Sequence, residues 1–301
     1  MKPVKVEGIV LQAHSLACVV KISLVAQTMP ISNFLNILKN KNSHKKTTIP
    51  NLSANTLVAH RGLQKDYPEN TLLSIKKAID AGVKFIEIDI QFSKDKLPII
   101  CHDDNLNRLG GIKNFQIKER NQSEIIKQPA HEPQRFGDRY IGEKISPLEA
   151  IIPLLVLHPE ITIFIEIKEE TIKKDDFKKV SSDLIRMLNE VINQVVLISF
   201  NSELIKIISE SLEVSTGLIL SSWDDITHKT KIIFNCDYIF IDHELIPARY
   251  NFSKSPIKPN CKIVCYEVDD INLGKDLLAA GIDLIETFQY KKLSKAKSFA
   301  T

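Results

Sequence analysis

From residue 57 onward, short apolar runs alternate with longer stretches in which apolar positions recur every three to four residues. The runs are "LVAH" (57–60), "FIEIDI" (85–90), "TIFIEI" (162–167), "VVLISF" (195–200), "STGLIL" (215–220), "YIFID" (238–242), "KIVCYEV" (262–268) and "IDLIE" (282–286). Their length and their Ile/Val content mark strands. The stretches between them predict helices over 70–81, 147–157, 173–193, 202–212 and 270–280. The first is opened by Asn70 or Thr71 behind Pro68 and closed by Gly82, and the last is closed by Gly281, as capping preferences lead one to expect. Strands alternating with helices build parallel β-α units. Eight such strands, and no G-x-G-x-x-G turn of the kind that marks an open dinucleotide-binding sheet, predict an α/β protein of the (β/α)8, or TIM, barrel class. One run breaks the alternation. "LPIICHD" (97–103) follows strand two after only a few residues, which predicts a short hairpin insertion there.

In such barrels the active site lies at the C-terminal ends of the strands, so the polar residues at those ends are the candidates. Strand one runs into His60 and Arg61. Strand two carries Glu87 and Asp89, two residues apart and so on one face. Strand three ends with Glu166 and Lys168, and the hairpin brings His102 and Asp103. Three carboxylates converging in one mouth repel each other and lose hydration, which raises their pKa unless a cation compensates. An all-oxygen set selects a hard ion, Mg2+ or Ca2+. Beside Arg61, Lys168 and two histidines, that ion makes a site for a phosphate ester, with the cations neutralising oxygens and the histidines moving protons. Asp242, His243 and Glu244 also end a strand; they read as an accessory site or as a hydrogen-bonded rim.

Charge narrows the partners. The whole chain of 301 residues has 40 Lys and Arg against 37 Asp and Glu. Residues 1–56 hold seven Lys and one Glu, so the remainder carries 40 − 7 = 33 basic and 37 − 1 = 36 acidic residues. A slightly acidic body without a basic stripe argues against nucleic acid. The five cysteines are odd in number and lack metal-site spacing, which predicts buried thiols and a cytoplasmic protein. In "SLACVVKISLVAQT" the longest unbroken apolar run is Leu16–Val20, shorter than the about 7–15 residues of a secretory core and far short of a membrane span. No stable membrane insertion is expected. Residues 1–56 are expected to form a poorly ordered basic extension, with Met29 as a second candidate start, ahead of a barrel over 57–301.

Several of these segments in order carry a resemblance. "HRG" (60–62), "YPENT" (67–71), "AGVKFIEIDIQFSKDKLPIICHDDNLNR" (81–108), "FGDRYIGEKISPLEAI" (136–151) and "FIEIK" (164–168) resemble the glycerophosphodiester phosphodiesterase family. These are metal-dependent barrel enzymes that cleave glycerophosphodiesters to glycerol 3-phosphate and an alcohol. The resemblance spans 57–286, and the short insertion looks like that of the compact intracellular members. It implies His60 as catalytic base, His102 as catalytic acid, and Glu87, Asp89 and Glu166 as metal ligands. It further implies that Arg61 and Lys168 contact phosphate and that Glu69 supports the site from behind. The chain departs from the family near its end. "CYEVDD" puts Tyr266 at a substrate-lining aromatic position and Asp269 near a polar one, and "ETFQY" (286–290) replaces the usual turn after strand eight. Two alternatives share these residues: phospholipase D-like cleavage of a lysophospholipid through a cyclic phosphate, as in the similar sphingomyelinase D group, and a non-catalytic phospho-ligand-binding barrel.

Overall fold

The computed structural model describes residues 51–295 except 212, 229–232, 234, 249 and 256–260; the expected N-terminal extension lies almost wholly outside them. Among the described residues ten strands are formed: β1 (Leu57–Ala59), β2 (Phe85–Phe92), β3 (Pro98–Ile100), β4 (Ser146–Pro147), β5 (Thr162–Ile167), β6 (Val195–Ser199), β7 (Ser215–Ile219), β8 (Tyr238–Asp242), β9 (Lys262–Tyr266) and β10 (Leu284–Thr287). Eight of them run parallel in the order β1-β10-β9-β8-β7-β6-β5-β2, and β1 pairs with β2 to close the ring. This is the (β/α)8 barrel that the eight apolar runs predict. β3 returns antiparallel on β2 and β4 on β3, so the run at 97–103 is the hairpin insertion and no ninth barrel strand.

Period-two alternation decides which side chains meet inside the ring. Ile86, Ile88 and Ile90 of β2 and Ile163, Ile165 and Ile167 of β5 belong to the outer core beneath the helices. Phe85, Glu87, Asp89, Phe164 and Glu166 therefore face inward. The β2–β5 register sets Glu87 beside Phe164 and Asp89 beside Glu166. Phe164 meets Tyr238 and Phe240 edge-on, with ring centroids 5.0 and 5.2 Å away, a geometry aromatic quadrupoles favour. An aromatic floor thus fills the lower barrel; Glu87 stands level with Phe164, and Asp89 and Glu166 stand one pleat higher, toward the C-terminal mouth.

Among the described residues four helices have eight or more residues: α1 (Leu72–Asp80), α2 (Phe177–Met187), α3 (Ser202–Ser209) and α4 (Ile271–Ala279). α1 is shorter than the expected 70–81. Thr71 is its cap, accepting from the Ser74 N–H at 3.1 Å, and Asn70 stands outside with φ +54°. The expected helix over 173–193 is interrupted: 3-10 turns flank α2, and Val191 leaves helical geometry at φ −119°. Packing of the barrel begins ahead of β1. Leu52 is buried against Gly274 of α4, where a Cβ would lie 3.1 Å from Leu52 Cδ2, and Thr56 O accepts from the Ile285 N–H at 2.8 Å.

Candidate active site

The chain turns sharply as it leaves β1. Arg61 has φ +53° and Gly62 φ +76°, a left-handed pair in which glycine carries no steric cost. Space requires glycine too, because a Cβ on residue 62 would stand 2.6 Å from Ser74 Oγ and 2.8 Å from the Ser74 carbonyl carbon. Ser74 Oγ donates to Arg61 O at 3.1 Å, which ties the turn to α1. The Arg61 N–H consequently donates to Glu87 Oε2 at 3.0 Å. Its guanidinium reaches Glu69 Oε1 at 2.9 Å and Asp89 Oδ2 at 3.0 Å.

The three expected carboxylates do converge: Glu87, Asp89 and Glu166 each offer an oxygen within 4.8 Å of the others. Asp89 is the best compensated. Asn70 Nδ2 donates to its Oδ2 at 2.8 Å, and Lys168 Nζ lies 3.1 Å from its Oδ1 and 2.6 Å from Glu166 Oε1. Burial opposes its charge, but Arg61 and Lys168 outweigh burial and hold Asp89 well below the usual carboxylate range. Glu87 and Glu166 lack that balance. Burial, with Asp89 alongside, raises Glu87 well above its ordinary value and pushes Glu166 up to about 7. Glu87 Oε1 is buried with no hydrogen-bond partner among the described residues. Two acids whose charge is opposed first by burial and then by a neighbouring carboxylate call for a compensating positive charge, and the oxygen set fits a hard divalent cation.

The two histidines sit in unlike surroundings. His60 is buried at 6% exposure, with Nδ1 2.5 Å from Glu286 Oε1 and Nε2 3.9 Å from Glu87 Oε2. Burial works against charge on the ring, and Glu286 overcomes it, so the His60 pKa is raised. His102 follows the hairpin, its side chain 34% exposed, with Nδ1 2.7 Å from Asp103 Oδ1. Arg108 grips both Asp103 oxygens and both Glu69 oxygens at 2.8–3.0 Å. Glu69 thus links Arg61 to the network behind His102, and the two arginines hold it below its usual range despite burial.

His60, Arg61, Glu87, His102, Glu166, Lys168 and Tyr266 line one cavity of about 140 Å³; Ile198, Phe200, Ile219, Phe240, Glu267 and Glu286 complete its wall. Asp89 and Glu69 lie behind that lining. Asp242, His243 and Glu244 are not part of it. Asp242 Oδ1 instead accepts from the Glu244 N–H at 2.8 Å and caps the turn after β8.

A family model described as the glycerophosphoryl diester phosphodiesterase family matches residues 60–287. The chain belongs to this family. A glycerophosphodiester phosphodiesterase of Caldanaerobacter subterraneus subsp. tengcongensis is 31% identical over 147 residues, 48% of this chain and 58% of that protein. Glycerophosphodiester phosphodiesterase 1 of Bos taurus is 32% identical over 175 residues, 55% of this chain and 49% of that one. The chain thus spans about half the length of the curated relatives it matches. Among solved structures, a phosphodiesterase from Oleispira antarctica, in complex with the product sn-glycerol-3-phosphate, superposes with a TM-score of 0.68. It is 23% identical and covers 79% of this chain and 94% of its own. The glycerophosphodiester phosphodiesterase of Agrobacterium tumefaciens gives 0.63 at 22% identity, over 80% of this chain and 99% of its own. These likenesses establish a common fold.

Within the glycerophosphodiester phosphodiesterase frame, the site also uses residues beyond those expected from the sequence. Glu286 ends the run "IDLIE" and could have been found by the same rule. Arg108 and Asn70 act across 39 and 19 positions of sequence, where no local pattern points. The two departures from the family pattern also meet each other. Asp269 Oδ1 accepts from Thr287 Oγ1 at 2.7 Å and from the Phe288 N–H at 3.0 Å. Phe288 in turn tilts against the His60 ring at 4.7 Å.

Proposed function

We propose that this chain hydrolyses glycerophosphodiesters to sn-glycerol 3-phosphate and an alcohol, using Mg2+ or Ca2+ at Glu87, Asp89 and Glu166. The observation that carries the reading is the meeting of three buried carboxylates, two histidines and two cationic side chains at one cavity mouth. The substrate class is supported by the Oleispira relative solved with sn-glycerol-3-phosphate and by the names of the curated relatives. A bound divalent cation supplies charge to polarise the phosphate oxygens. Arg61 and Lys168 add fixed positive charge on the same side, Arg61 as a planar fork held from behind by Glu69. His60 takes the proton of the attacking water, and His102 returns one to the departing alkoxide. Tyr266 lines the part of the cavity that receives the organic portion of the substrate.

The test is an assay of the full chain on a panel of glycerophosphodiesters with and without Mg2+ or Ca2+. Glycerol 3-phosphate should appear only with the cation. A cyclic phosphate signal in the phosphorus NMR spectrum of the products would replace hydrolysis by internal attack. No turnover of any diester, with or without metal, would leave a binding barrel.

A further inference from the structure

Glu286 lies next to the end of β10, 3% exposed, and none of the expected site residues accounts for it. Its Oε1 stands 2.5 Å from His60 Nδ1. The contact is close but poorly aligned, for Nδ1 makes no well-formed hydrogen bond; catalytic contacts in substrate-free enzymes are commonly of this kind. The second group facing Nδ1 is Glu267 Oε1 at 3.5 Å. Both neighbours are carboxylates. An ionised carboxylate only accepts hydrogen bonds, so the ring nitrogen that faces two of them is the one that carries hydrogen. The lone pair of His60 then sits on Nε2, the nitrogen on the Glu87 side of the ring.

The rest of the turn after β10 holds this arrangement in place. Thr287 O accepts from the His60 N–H at 3.3 Å. Asp269 secures Thr287 and Phe288 by the two bonds described above, and the Phe288 ring packs on the imidazole. These residues belong to "CYEVDD" and "ETFQY", where the chain leaves the common pattern of its family.

We propose that Glu286 is a positioning residue for His60: it fixes the Nδ1-protonated tautomer and so aims the Nε2 lone pair at the attacking water. The role rests on His60 being the base. As the water gives its proton to Nε2, its oxygen bonds to phosphorus and the bond to the alcohol oxygen breaks. The ring becomes a cation, and the Glu286 carboxylate stands beside it. Carboxylates that orient a metal-bound imidazole through its other ring nitrogen are worth about 10–100-fold, and a loss of the same order is expected for an imidazole held in this way as a base.

The experiment compares Glu286→Gln, Glu286→Ala and His60→Ala in the full chain, saturated with the activating cation, on glycerophosphocholine. Gln keeps an acceptor of the same shape without charge, and Ala removes both. In the Gln variant kcat should fall about 10-fold and in the Ala variant about 100-fold, with KM within about twofold and the bound metal per chain unchanged. Nitrogen-15 NMR of the wild-type His60 ring should show hydrogen on Nδ1, and the Ala variant should shift toward a mixture of tautomers. Wild-type hydrogen on Nε2 overturns the proposal whether or not the variants fold. So does wild-type kcat in both Glu286 variants while His60→Ala is inactive, a result that leaves the hydrolase reading intact. Loss of one metal equivalent in Glu286→Gln would make Glu286 a ligand instead. Full activity of His60→Ala would remove the base itself and Glu286's role with it.

Discussion

His60 and His102 each have a carboxylate on Nδ1, yet the two are seated by opposite means. His60 is enclosed by the barrel wall, between β1, the mouth of β2 and the turn after β10, and its partner Glu286 is buried with it. His102 stands on the inserted hairpin with a third of its side chain in solvent. It is held at arm's length, through Asp103, Arg108 and Glu69. A base that must take a proton from water at a fixed angle gains from a rigid pocket. An acid that must reach leaving groups of differing size tolerates a partly open one. The contrast matches the division of labour proposed for them.

Varying the leaving group separates the two histidines most sharply. His60→Ala should lower kcat/KM by about 10²–10⁴ on both a natural glycerophosphodiester and a nitrophenyl diester. His102→Ala should do the same on the natural substrate but little on the nitrophenyl ester, whose anion departs without a proton. The opposite pattern in steady-state kinetics would exchange the two roles. Next in size is the strut between them. Glu69→Ala leaves the Arg61 charge short of one buried partner, and losses of that type cost about 3–5 kcal/mol; Arg108, half-exposed, finds water instead. Denaturant unfolding should show the midpoint falling without a change in slope.

A smaller effect separates the histidines more finely. Asp103→Ala should reduce turnover of the natural diester about 10-fold by freeing His102, with no loss on the nitrophenyl ester, since the His60 side is untouched. Equal loss on both substrates would mean the two networks are one. The smallest effect concerns the carboxylate cluster. Glu166 is pushed up to about 7, so it binds a proton more tightly folded than unfolded. Its contribution to metal-free stability is complete below about 4.3, its unfolded value, and is lost as pH rises through about 7. A cation competes with that proton. The rise in Tm on adding Mg2+ or Ca2+ should therefore be larger at pH 8 than at pH 6, and a rise that shrinks with pH would contradict the metal assignment.

Legibility in the sequence followed distance. The barrel was readable because each strand and each cap is a local pattern: eight apolar runs, Thr71 before α1, Gly82 after it. Glu87, Asp89, Glu166 and Lys168 were readable because period two within a strand carries over to three dimensions. The break at Val191 was not, since nothing within a helical period forbids 173–193 from continuing. Arg108 was invisible for a different reason. Its partners Glu69 and Asp103 come together only after the hairpin has folded over the mouth. Glu286 lay between these cases, at the end of a correctly read strand, and its partner was at the other end of the chain.

That last separation bears on how the molecule comes into being. β1, three residues long, is completed by β10, which leaves the ribosome more than two hundred residues later. Until then β1 and β9 present open edges of the kind that recruit other chains, and a contact so distant in sequence closes slowly. The proposed metal ligands and both histidines are synthesised by residue 166, but the wall that seats His60 arrives last. A nascent chain arrested after β9 should carry every proposed catalytic residue and still be inert, so that synthesis itself withholds the activity until the ring is shut.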